Sequence, residues 1–156
     1  MSNLDDRART YFSEDEIADI KGRPVKWGSG DDADAIGLAN AWWLHVEKID
    51  RDRSLPWSDR TVWNEFDLCA AMIIRDMLER SLNNLPATLA TKMVDYTAEA
   101  DNRFRSMTVA DSGKRMAAVA ELDAAERAER GWWWFRIPDS GPILEDLARW
   151  NRFENE

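Results

Sequence analysis

Two pairs of carboxylates are the residues best placed by type and spacing to do chemistry. Asp76 and Glu79, and Asp95 and Glu99, stand three or four residues apart, which puts both members of each pair on one helix face. Counted outward from the turn Asn83-Asn84-Leu85-Pro86, the pairs fall at similar heights on facing helices. Carboxylate oxygens so arranged suit Mg2+ or Mn2+, hard cations that take oxygen ligands. Lys92 and Arg103, however, lie at salt-bridge spacing from Asp95 and Glu99, the pattern of a solvated helix face. The solvated face, with no cofactor, is the favoured reading, and the cation site is the alternative. The single His45 falls on the polar flank of its helix with no patterned nucleophile beside it. The single Cys69 falls on an apolar stripe, where a thiol behaves as a small hydrophobe. Gly28-Ser29-Gly30 lacks the Lys and strand context of a phosphate loop.

The tryptophans carry the second signal, nine in 156 residues. Trp42 and Trp43 lie on the apolar arc of a helix and Trp63 flanks another, so all three read as core. Trp27 and Trp57 fall in loops, as plugs for the ends of a bundle. The run Trp132-Trp133-Trp134-Phe135-Arg136-Ile137-Pro138 reads as extended, because Pro138 turns Ile137 away from helix. Extended geometry places Trp133, Phe135 and Ile137 on one side and Trp132, Trp134 and Arg136 on the other. With one side buried, the other presents a Trp–Arg–Trp surface, rich in the residue types of binding hot spots.

Composition narrows the function classes. A net charge of −9, spread as −4 over residues 1–60 and −5 over 61–156, argues against a partner of phosphate backbone. One Cys excludes an internal disulfide framework. No apolar run approaches the ~20 residues of a membrane span, and the N-terminus lacks a secretory pattern. The expectation is a cytoplasmic protein with no membrane association and no direct nucleic-acid binding.

Helix signals dominate the elements that must position these residues. Ser13 and Glu16 form a capping box for a short helix ending at Gly22, and Val25–Gly30 reads as a loop. A second helix starts among Asp31, Asp32 and Asp34 and buries Ile36, Ala39, Trp42, Trp43, Val46 and Ile49. A third runs from a Ser58 cap to about Leu82, with Val62, Phe66, Cys69, Ile73 and Met77 as its core stripe. Trp63, Ala70, Ile74 and Leu78 widen that stripe. Pro86 starts a fourth helix whose Leu89, Met93, Tyr96, Ala100, Phe104 and Met107 share about 80° of arc. The short turn between them predicts a third–fourth hairpin as the folding core. Lys114–Arg130 reads as one Ala-rich helix stopped by Gly131, and Pro142 opens the last helix, with Ile143, Leu147 and Trp150. Asp101 and Arg105 read as a surface pair.

The fold expected is all-α, a single domain over 1–156 with five or six helices in a bundle and a short extended Trp-rich segment near the C-terminus. The function expected is a non-enzymatic acidic protein-binding module, and an immunity- or antitoxin-type partner of a basic protein fits that description. A homo-oligomer joined through the Trp face is a further reading. The competing class is an enzyme or small-ligand binder in which helix-borne carboxylates hold Mg2+ or Mn2+.

Overall fold

The computed structural model describes residues 3–27 and 30–154, with the side chains of Asn3, Trp27, Asp31 and 151–154 outside the description. The architecture is all-α. The helices are α1 (Asn3–Tyr11), α2 (Glu14–Lys21), α3 (Ala35–Asp52), α4 (Glu65–Asn83), α5 (Ala87–Ser106), α6 (Arg115–Val119), α7 (Ala124–Ala128) and α8 (Pro142–Glu154). Two antiparallel ribbons complete it: β1 (Val25–Trp27) on β2 (Asp31–Ala33), and β3 (Thr108–Ala110) on β4 (Arg136–Pro138). The expected loop at 25–30 is therefore partly a ribbon, with Val25 opposite Ala33. The Trp27 plug and the Gly28-Ser29 segment lie outside the described residues.

Capping explains where the helices begin. Ser13 and Glu16 bond reciprocally at the start of α2, as their spacing predicts. Asp34 caps α3 by accepting from Gly37 N–H. Asn64, not Ser58, caps α4, in a capping box with Asp67. Asn64 supplies both its own carbonyl and a short acceptor side chain at the last extended residue, and the chain before it is held by Asp52, which accepts from Trp63 N–H.

Long helix α3 is central. Its buried Ile36, Ala39, Trp42, Val46 and Ile49 recur at helical spacing, and both α4 and α5 pack along it. The α4–α5 turn is as short as predicted, with Asn84 ending α4 and Pro86 capping α5. Yet the two helices splay from that turn and share fewer contacts with each other than either does with α3. The α5 stripe from Leu89 to Met107 is buried at all six expected positions. Buried residues of every helix except α7 join one hydrophobic cluster.

The Ala-rich segment is two single turns rather than one helix. Glu121 adopts φ 57°, and Glu121 N–H donates to Ala118 O while Leu122 N–H donates to Ala117 O. That is a left-handed helix stop of the Schellman kind, here built without glycine. Asp123 and Glu126 then recap α7. Gly131 does not stop a helix but opens a 3-10 turn over Trp132–Phe135. A Cβ at Gly131 would lie 2.2 Å from the Trp133 ring, so only glycine lets that indole fold back over the chain. Extended geometry starts only at Arg136.

Candidate functional site

The 3-10 turn overturns the alternation expected of the tryptophan run. Trp133 and Trp134 are both buried, at 3 % and 2 % exposure, and Trp132 and Arg136 are half-buried. Trp132, Trp134 and Arg136 therefore form no open face. Arg105 covers the Trp132 ring at 3.8 Å. Arg136 spends its donors inward, on Thr108 Oγ1 and O and on Arg105 O, tying β4 to the end of α5.

Asp76 is what makes two adjacent indoles buriable. Its Oδ1 accepts from Trp133 Nε1 at 2.9 Å and from Trp134 Nε1 at 2.8 Å, and Arg130 donates to Oδ2 at 3.2 Å. Burial pushes the Asp76 carboxyl above the usual carboxylate range, and these donors act against that rise. Beneath it, Arg75 holds Asp101 with two hydrogen bonds of 3.0 Å, and Asp101 also accepts from Trp42 Nε1 at 2.8 Å. Asp101 is thus buried in the core and is no surface partner of Arg105.

The four candidate metal ligands are not brought together. Asp76 is engaged by the indoles, Glu79 accepts from Arg75, and Glu99 pairs with Arg7 of α1. Asp95 is exposed on α5. Among the described residues no three His, Cys, Asp or Glu side chains are placed to hold a metal ion. His45 Nδ1 lies 2.8 Å from Ala41 O and its ring packs on Trp63. Burial, reinforced by the charge of Asp76, pushes the Cys69 thiol up, so it stays protonated and unreactive at neutral pH.

A common rule covers the tryptophans. Indole N–H groups of Trp42, Trp43, Trp57, Trp133, Trp134 and Trp150 donate to the carboxylates of Asp101, Glu47, Asp146, Asp76, Asp76 and Glu65. Cations of Arg7, Lys48, Arg75, Arg105, Arg130 and Arg149 lie over the rings of Trp43, Trp63, Trp133, Trp132, Trp134 and Trp57. Edge to carboxylate and face to cation is what the ring quadrupole favours. The acid excess and the tryptophan excess are thus partly one feature.

The open apolar surface lies instead on the outside of α4. Phe66 is 56 % and Ile73 44 % exposed, Ala70 is exposed and Cys69 is half-buried. At 100° per residue these four share about 100° of arc. The helix buries the opposite side, Leu68, Ala71, Met72, Ile74, Arg75, Leu78 and Leu82. The expected core stripe Phe66–Cys69–Ile73 is therefore the solvent face, and only its last member, Met77, is buried. Sequence reasoning missed this face because α4 carries apolar residues all round, and periodicity selected the wrong arc. Trp150 of α8 flanks the face, with its ring edge-on to Phe66 at 6.1 Å.

Beside the N-terminal end of that face is a cleft of about 280 Å3 between Trp57 and Trp63, rimmed by Asp59, Glu65 and Asp146. Trp57 is exposed rather than a plug. Hydrogen bonds from Thr61 hold the Asp59 carboxyl below its ordinary range. No described helix is long and apolar enough to cross a membrane. Comparisons with protein-family models, with curated protein sequences and with solved structures found no match to this chain.

Proposed function

We propose that this chain is a non-enzymatic, cytoplasmic protein-binding module that docks its partner on the outer face of α4. The carrying observation is the row Phe66, Cys69, Ala70 and Ile73, two helical turns of apolar surface that, among the described residues, is flanked by Trp150 and otherwise open. Other exposed large apolar residues lie apart from this row: Val94 and Val109 stand singly, and Leu44 lines a separate cleft with Leu4 and Trp43. A row flanked by an aromatic ring and rimmed by charge marks an interaction site instead. The titratable groups support binding over catalysis: Asp76 and Asp101 are consumed in supporting indoles, and burial holds Cys69 as a thiol.

The test is capture from an extract of the native host on immobilised protein. Phe66→Ser/Ile73→Ser removes the face, and Val94→Ser removes an unrelated exposed apolar residue. A protein held by the wild type and the Val94 variant but lost from the double variant supports the reading. Identical captures from all three overturn it, once circular dichroism shows that the double variant is folded.

A further inference from the structure

We infer that the occupant of the α4 face is a basic amphipathic segment, one that lays apolar anchors on Phe66, Ala70 and Ile73 and places a Lys or Arg side chain in the cleft between Trp57 and Trp63. The inference rests on the docking reading above and adds the chemistry of the partner.

Charge beside the face is the argument. Several positioned carboxylates elsewhere meet cations, Asp50 with Arg53 and Arg103, Asp101 with Arg75, Asp139 with Arg53 and Glu16 with Lys92, whereas Asp34, Asp111 and Asp123 are taken up by backbone N–H groups at helix starts. At the cleft the donors are neutral. Thr61 serves Asp59 through N–H and Oγ1, Trp150 serves Glu65 at 3.0 Å, and Trp57 serves Asp146 at 2.7 Å. An indole or hydroxyl satisfies a carboxylate and fixes its direction without cancelling its charge. Three negative charges are thus held in place at the end of an apolar row, with Arg149 at 4.0 Å from Asp146 as the one ion pair among them and Lys48 acting on Asp59 from further off.

The chain itself shows what such a wall accepts. Arg149 lies with its guanidinium 4.3 Å from the Trp57 ring centroid and 4.0 Å from Asp146, and Lys48 reaches over the Trp63 ring at 5.7 Å. An incoming cation would meet the same aromatic walls and the charge of Glu65, which only an indole serves, with Asp59 beside it. A volume of about 280 Å3 holds one long side chain rather than a folded element. The apolar row spans residues i to i+7, about 10.5 Å of helix, which matches two turns of an amphipathic partner helix. A second copy of this chain is a poor occupant, since it brings the same acidic rim and a net charge of −9.

Neutral isosteres make a clean test. Glu65→Gln and Asp146→Asn keep an oxygen to accept the indole N–H and remove only the charge. Two synthetic peptides of about 14 residues, four helical turns, carry the same Leu row, with Lys and Arg on the flanks of one and Glu on the other. Titration would follow Trp fluorescence of the full chain at low and high salt. The basic peptide should bind about ten-fold or more tightly than the acidic one, an advantage that salt reduces and the double isostere removes. Equal binding of both peptides, each lost in Phe66→Ser/Ile73→Ser, overturns the basic partner and leaves the docking face standing. Binding of the basic peptide that ignores Phe66→Ser/Ile73→Ser overturns the placement on α4. Failure of both peptides, with dimers that the same double variant dissolves in sedimentation, overturns the basic partner in favour of a second copy.

Discussion

The turn Trp132–Trp134 and the outer face of α4 are two apolar surfaces that meet the same helix and end up in opposite environments. Trp133 and Trp134 lie on one flank of the helix, sealed at 3 % and 2 % exposure. Phe66 and Ile73 stand on the solvent side at 56 % and 44 % exposure, with Trp150 edge-on to the Phe66 ring. The difference lies in the polar edge. An indole has an N–H that must find an acceptor when buried, and Asp76 supplies one to both rings. Phenyl and aliphatic side chains require no such partner, and whether they are covered follows from which arc of the helix its neighbours pack against: Leu68 and Leu78 face that side and are buried, Phe66 and Ile73 face away.

Substitution should separate the two regions sharply. Trp134→Ala removes a fully buried indole and should cost about 3–5 kcal/mol, read as the free energy of urea unfolding. Loss below about 1 kcal/mol would put the turn in the class of ordinary surface. Asp76→Ala should come next. It strands the buried Trp134 indole donor, at about 1–3 kcal/mol, while Trp133 Nε1 keeps Met72 O at 3.1 Å, and Asp76→Asn should cost less because one oxygen remains. If Asp76→Ala matched the wild type in a melt, the sealing role assigned to that carboxylate would be wrong. Gly131→Ala forces the Trp133 ring away from a position 2.2 Å from the new methyl group. It should destabilise by about 1–3 kcal/mol, the range of overpacking. On the open side, Phe66→Ser/Ile73→Ser should change stability by about 1 kcal/mol or less in all, since each is a surface substitution. A cooperative unfolding loss of several kcal/mol there would mean that the row is structural and no docking face.

Acid sharpens the contrast with smaller effects of opposite sign. Although burial raises it, hydrogen bonds from Arg103 and Arg53 hold the Asp50 carboxyl below its ordinary 3.8. Its stabilisation is complete above that value and is lost as pH falls through the folded pKa. Burial instead holds Asp76 above 3.8, so its ionisation works against folding, and stability is gained as pH falls through its folded pKa. Melting temperatures followed from pH 6 to pH 2 should therefore fall less steeply in Asp50→Asn than in the wild type. In Asp76→Asn they should fall more steeply. Parallel curves for all three proteins would contradict both directions.

Legibility in the sequence tracked how one-sided each element is. In α5, apolar residues occupy one arc and the other arc is polar, so its six core positions could be named and all are buried. The capping boxes of α2 and α3's Asp34 were equally readable, because a cap is a local bond between residues three apart. Helix α4 has apolar residues on every side, so its phase depended on which side α3 took. The break at Glu121 was hidden because glycine, the usual sign of a left-handed stop, is absent there. The 3-10 turn at Trp132 was hidden because its reason is tertiary: Asp76, 57 residues from Trp133, receives the indole N–H. The cleft at Trp57 gathers residues from the α3–α4 loop, α4 and α8 and left no spacing signal.

The sequence by itself determined an all-α chain, the capping box of α2 and the one-sided stripe of α5, because hydrogen bonds between near neighbours and the 3.6-residue period act within a single element. It also determined an acidic, tryptophan-rich composition and hence the materials for indole–carboxylate pairs. Only the tertiary structure decided that Asp76, Asp101, Glu65 and Asp146 met their indoles, and which arc of α4 was covered. Those indole bonds join partners 57 to 89 residues apart. The decisive term is the cost of burying an unpaired polar group, and it is settled only when two distant segments meet.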